Sequence, residues 1–140
     1  MKLRMLYAKW LYGNEKLSIF DEHALNSCID SLPDEYSEIV AIQKERLAIV
    51  QHHPEWKQVR FYSDNEILKT EGLTKRLPFL DERKLIRIEF LMSDGKKIGC
   101  NLHAWNGFIC EANYSCSTKN YKSEKPIGIG KITNSWKAIK

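Results

Sequence analysis

A chain of 140 residues with 43% hydrophobic and 29% charged residues can bury a core without disulfide or metal staples, and its ordinary composition excludes a disordered or fibrous protein. No apolar run approaches the ~20 residues of a membrane span, so no membrane partner is expected. The net charge of +4 is uneven: residues 116–140 hold Lys119, Lys122, Lys125, Lys131, Lys137 and Lys140 against Glu124, or +5, while the rest holds 16 basic and 17 acidic residues, or −1.

Residues 1–12 are ambiguous. Leu3, Met5 and Tyr7 alternate as in a strand, whereas Leu3, Tyr7, Trp10 and Leu11 fit a helical stripe. Arg4 and Lys9 interrupt the apolar run and no small-residue cleavage site follows, which argues against a signal peptide. A cytoplasmic location with Cys28, Cys100, Cys110 and Cys116 as reduced thiols is therefore expected. Gly13-Asn14 breaks the run, and residues 16–20 read as a short strand or connector. Asp21 is a candidate N-cap, with Ala24, Cys28 and Leu32 on one helical face.

Pro33, followed by two acidic residues, opens a second helix, and Tyr36, Ile39, Val40, Leu47 and Val50 carry its stripe from residue 34 to residue 51. Pro54, within His52-His53-Pro54-Glu55-Trp56, closes it, and the two histidines read as a polar helix end beside the negative dipole. Residues 58–62 suit a strand, Ser63-Asp64-Asn65 a helical turn through Leu68, and Gly72 and Pro78 frame a connector.

The strongest local signal is residues 84–115. Asp94-Gly95 and Asn106-Gly107 separate three strand-like runs, 85–92, 97–105 and 108–114, as two tight hairpins would. Two-residue loops set the register by the pleat. Phe90 then opposes Gly99, Ile88 opposes Asn101 and Ile86 opposes His103; His103 also opposes Cys110, Asn101 opposes Ala112, and Trp105 opposes Phe108. One face carries Ile86, Ile88, Phe90, His103, Trp105, Phe108, Cys110, Ala112 and Tyr114 and is the expected core, sealed beneath the helices. The other carries Arg87, Glu89 and Glu111 as a partly wetted charged stripe. An extra residue in either turn would invert one strand. Residues 127–136 supply a final strand or lie over the sheet. The fold expected is α+β in one domain spanning residues 1–140, with N-terminal helices packed on a C-terminal antiparallel β-meander sheet.

No stretch carries an evident catalytic constellation. Cys100-x2-His103 and Cys110-x5-Cys116 are spaced loosely like zinc ligands, but the pleat sends Cys100 and His103 to opposite faces, and two ligands do not make a tetrahedral site. No metal and no cofactor is therefore expected. His103 opposite Cys110 would give a thiol beside a base, the minimum for cysteine nucleophile chemistry, though on a core-facing sheet such a pair reads as packing. G-x-S-x-G, H-E-x-x-H, Walker and Rossmann motifs are all missing, and Gly128-Ile129-Gly130 is a lone G-x-G. Trp105, Phe108 and Tyr114 with the C-terminal lysines leave a small nucleic-acid binder as the alternative to a protein-binding module.

Leu32-Pro33-Asp34-Glu35-Tyr36-Ser37-Glu38-Ile39-Val40 resembles the L-P-x-x-Y helix opening of the SUKH superfamily, and Phe61-Tyr62-Ser63-Asp64-Asn65-Glu66-Ile67 is similar to the aromatic strand and S-x-x-E-I turn that follows there. Many bacterial members of that group are immunity proteins that bind and neutralise a cognate toxin in bacterial competition, such as contact-dependent growth inhibition. The glycine pair usual after the helix opening is replaced by a longer charged segment between Val40 and Trp56, so no functional residue is carried over. What the resemblance implies is a noncatalytic cytoplasmic protein whose partner is a toxin domain. Exposure alone nominates Asp34, Glu35 and Glu38 on the helix opening, and Arg87, Glu89 and Glu111 on the sheet, as its partner-binding residues.

Overall fold

Ser18 decides where the first helix begins. Its hydroxyl accepts from the Asp21 N–H and the Asp21 carboxylate accepts from the Ser18 N–H, a reciprocal capping box that opens α1, Ile19–Asp30. Asp21 is thus the third helical residue and not the cap that the sequence reading made it. The computed structural model of the chain describes residues 15–53, 55–63 and 76–135. The expectations for residues 1–12, Pro54, the helical turn at Asp64 to Leu68, Gly72 and the last residues from Trp136 lie outside these.

Pro33 precedes α2, Asp34–Glu45. The helix expected to reach residue 51 stops at Glu45, and Leu47–His53 is instead strand β1. Leu47 and Val50 fit a helical stripe, but Ile49 and Val50 are β-branched, and pairing with β2, Gln58–Ser63, satisfies this backbone as a ladder. The two histidines are therefore strand residues, not a helix end. The remaining strands are β3, Arg83–Leu91; β4, Lys97–Trp105; β5, Phe108–Tyr114; and β6, Gly128–Asn134. A 3-10 turn, Lys119–Tyr121, interrupts the connection to β6.

All neighbours pair antiparallel, in the order β1-β2-β5-β4-β3-β6. Both helices cover one side of the sheet. Phe20, Ala24, Leu25, Cys28 and Ile29 of α1 and Ile39 and Val40 of α2 join Val59, Phe61, Ile86, Ile88, Phe90, Ile98, Leu102, Ile109 and Ala112 in one core. The class is α+β, as the residue pattern implied.

The meander departs from its expected register twice. Met92 donates to Lys96 O and Gly95 to Met92 O, so the first loop is the three residues Ser93-Asp94-Gly95, with Gly95 at φ +87°. Ile88 therefore faces Cys100 and Phe90 faces Ile98, one residue away from the two-residue-loop register. That shift turns Ile98, Cys100, Leu102 and Ala104 inward and sends His103 and Trp105 to the other side. Asn106-Gly107 is the two-residue turn expected, with φ +55° and +81°, and Trp105 does face Phe108. Past it, Ala104 pairs with Ile109 while His103 pairs with Glu111, so Cys110 is an extra residue in a β-bulge. Ala112 and Tyr114 still reach the core face, but Cys110 does not oppose His103.

Candidate functional site

The residues nominated for partner contact fall on two sides of the molecule. Asp34, Glu35 and Glu38 are exposed on α2, in the helix layer. Arg87 and Glu89 alternate with the inward Ile86, Ile88 and Phe90, so they belong to the opposite side of the sheet, and Glu111 lies there beside His103. The two sets do not form one patch. On the sheet, the Arg87 guanidinium lies flat over Gly99, where a Cβ would come within 2.2 Å of its nitrogen, and Arg87 Nη1 donates to Asn101 Oδ1 at 3.3 Å. Glu111 accepts from Gln58 Nε2, and Glu89 stands 3.9 Å from the Lys97 ammonium. Trp105, on the same side, is 53% exposed, so the expectation that the helices seal it fails. Phe108 is buried by another route, with the Arg76 guanidinium 5.2 Å from its ring centre.

The cysteine and histidine candidates are dispersed by the bulge and the register. Cys100 is buried beside Cys28, whereas His103 faces outward with an Nδ1 that finds no partner among the described residues. Burial, then the charges of Glu111 and Glu82, push the Cys110 thiol up to about 12, far from the thiolate a nucleophile needs. Among the described residues no group of three or more His, Cys, Asp or Glu side chains could hold a metal ion.

The sequence reading missed a buried charged cluster between α1, β1 and β5. His52 Nε2 lies 2.6 Å from Asp21 Oδ2, its Nδ1 3.1 Å from Glu15 Oε2, and the Tyr114 hydroxyl donates to Asp21 Oδ1 at 2.6 Å. Burial alone would raise the Asp21 pKa; hydrogen bonds from His52, Tyr114 and the Ser18 N–H outweigh it and hold the carboxyl below its ordinary 3.8. Burial likewise works against His52 cation formation, but the two carboxylates overcome it and raise His52 above 6.5. Carboxylates only accept, so the doubly protonated ring is the form that satisfies both nitrogens. Trp56 closes the cluster, its ring stacked on His52 at 3.8 Å, with the Lys122 ammonium 5.0 Å from the centre of the indole. Glu55 and Trp56 hold φ of +51° and +64°, a conformation costly for non-glycine residues, and the connection after β5 pins them: Ser117 donates to Glu55 O, and Thr118 donates twice to Trp56 O. With both carboxylate oxygens of Asp21 and both ring nitrogens of His52 engaged, this cluster clamps β1 to α1. The sequence signal available was the polar residue His52 among the strand-forming Ile49 and Val50, and the S-x-x-D of the capping box.

The last strand is different. β6 pairs with β3 on one side only, and among the described residues no strand lies on its other side. All but the first of its residues are exposed. Ile129 and Ile132 lie opposite Phe90 and Ile88 on the helix side of the sheet, yet remain 47% and 43% exposed. His23 of α1 meets the edge of Phe90 at 6.3 Å, and Ile19, one helical turn earlier, is 48% exposed. Ile19, His23, Ile129 and Ile132 thus border a ledge that the core reaches but does not cover. Compared with protein-family models, curated proteins and solved structures, the chain matches none of them.

Proposed function

We propose that this chain is a noncatalytic protein-binding module that acts in the cytoplasm, and specifically an immunity protein that neutralises a toxin domain. The observation that carries the reading is the β6 margin, where a one-sided strand and exposed isoleucines adjoin the core. Scattered exposed apolar residues are normal, but a row of them on a strand that, among the described residues, is paired on one side only suits a protein partner. The SUKH-like segment supports the same reading: Leu32-Pro33 leads into α2, Asp34 to Val40 lie in its first turns, and Phe61-Tyr62 lie on β2. Among the described residues, no helix is long and apolar enough to cross a membrane.

A nucleic-acid reading would need Trp105 and the lysines on one surface. Trp105 ends β4, whereas Lys131 lies by Glu89, whose partner Gly99 is six residues earlier on β4, or about 20 Å along the strand. That separation favours the protein partner. The test is co-expression with a toxin gene from the same locus: this chain restores growth and co-purifies with the toxin domain. Loss of growth despite good expression, with no complex on gel filtration, overturns the proposal.

A further inference from the structure

Edge strands usually carry devices against self-pairing. β6 has two. Gly130 and Lys131 together oppose Glu89, a bulge that breaks the ladder, and Lys131 stands at the centre of the strand, which runs Gly128–Asn134. A second copy pairing antiparallel about that centre would set Lys131 directly against Lys131, and like charges so placed are destabilising. In sequence Lys125 lies nearby and is exposed, whereas the Lys122 ammonium is drawn away to Trp56, which stacks on His52 of the opposite edge strand β1, so Lys131 is the charge that marks this edge. An acidic strand meets none of this opposition.

The backbone that such a strand would use can be assigned. The Ser135 N–H donates to Leu85 O at 3.0 Å, and Thr133 pairs with Arg87. By the alternation of an antiparallel ladder, Thr133 bonds inward to β3, while the N–H and C=O groups of Ile132 and Asn134 point away from the sheet. Beyond them lies the ledge of Ile19, His23, Ile129 and Ile132, which would receive the apolar side chains of the incoming strand.

We propose that β6 is an acceptor for an extended acidic segment of the partner, which adds as a seventh strand with its carboxylates beside Lys131 and its alternate apolar side chains over the ledge. The inference rests on the protein-binding reading and names how that binding is made. A strand added in this way gains main-chain hydrogen bonds that are indifferent to sequence; the lysine and the isoleucines provide the selection.

The probe is a short synthetic peptide in which Val and Thr alternate with Glu, compared with the same peptide carrying Lys for Glu, titrated into the full chain and followed by amide NMR. The acidic peptide binds, and slows hydrogen exchange at the Ile132 and Asn134 amides by about tenfold or more. The lysine peptide does not. Ile132→Pro removes the outward N–H without touching the inward ladder and abolishes binding; Lys131→Glu, which leaves the backbone intact, weakens it about fivefold to tenfold. Equal binding of both peptides, shifts confined to the Arg87 and Glu111 side of the sheet, or dimerisation of the chain on sedimentation overturns the inference. If the unaltered chain protects cells from its toxin and Ile132→Pro, still folded by its NMR spectrum, protects equally, the edge is not the contact and only the binding-module reading survives. If the unaltered chain gives no protection, that reading itself fails, whatever the peptide does.

Discussion

His52 and Asp21 face each other at 2.6 Å in a setting where both side chains are only 1% exposed, so strand β1 is fastened to helix α1 by a pair of opposite charges out of water. Such a pair is costly to assemble and more costly to break, because removing either partner strands the other charge in a poorly solvated place.

The first prediction concerns pH. His52 has its pKa raised above 6.5, so its contribution is complete below that value and fades as pH rises through the higher folded pKa. Asp21 has its pKa lowered below 3.8, so its contribution is present above that value and fades as pH falls through the lower folded pKa. The pair therefore stabilises most between 3.8 and 6.5. Urea midpoints measured from about pH 5 upward should fall through the range where His52 deprotonates. In His52→Gln that pH dependence flattens, and Asp21→Asn loses about 3–5 kcal/mol. An unchanged midpoint in His52→Gln would show that the clamp contributes nothing.

Gln43 is a second buried polar anchor. Its Nε2 donates to Gly107 O and its Oε1 accepts from the Ile109 N–H, both at 2.9 Å. Gln43→Leu leaves the Ile109 N–H without a partner in the core. A loss of about 1–3 kcal/mol in chemical denaturation is expected.

Two glycines should respond unequally to alanine. At Gly107, φ is +81° and a Cβ would come within 2.7 Å of the Arg76 Cβ and 3.0 Å of the Leu77 carbonyl. At Gly99 the obstacle is only the Arg87 guanidinium, the mobile end of a side chain. Gly107→Ala should cost about 1–3 kcal/mol; Gly99→Ala should cost well under half of that and release Arg87 into solvent. Thermal melts of the two variants side by side decide it.

Cys110 should be inert. With its thiol pushed up to about 12, it should resist iodoacetamide at neutral pH in the folded protein and react once urea unfolds the chain. Peptide mapping by mass spectrometry reads the site directly. Rapid alkylation of folded protein would reopen a nucleophile role.

Much of the fold is legible in local residue patterns. The Asn106-Gly107 turn and the strand at Gln58–Ser63 follow from turn chemistry and alternation, whereas residues 127–136 fit a final strand and a cover over the sheet alike, and β6 takes the first. What is not legible depends on single-residue phase. Asp94-Gly95 fits both a two-residue and a three-residue loop, and the choice determines whether Trp105 is inside or outside. The strand β1 carries a helix-compatible stripe, and it is a strand because β2 and Asp21 are there to receive it. The cluster at His52 joins residues from four separate stretches, Glu15, Asp21, His52 and Tyr114, which no spacing rule connects. The acidic candidates on α2 are exposed, whereas Arg87, Glu89 and Glu111 on β3 and β5 are half-buried, and the two sets lie on opposite sides of the sheet.

The supernumerary Cys110 lets one strand serve two masters. Ahead of it, the Ile109 amide is held by Gln43 on α2; beyond it, the Tyr114 hydroxyl is held by Asp21 on α1. Deleting that single residue would restore an even pleat with Ile109, Ala112 and Tyr114 still on the core face, and would shorten the chain between the two helix contacts by one position. The bulge therefore sets the spacing between the two helix contacts along β5, and an indel at this point would act on that spacing while the apolar core still holds both helices.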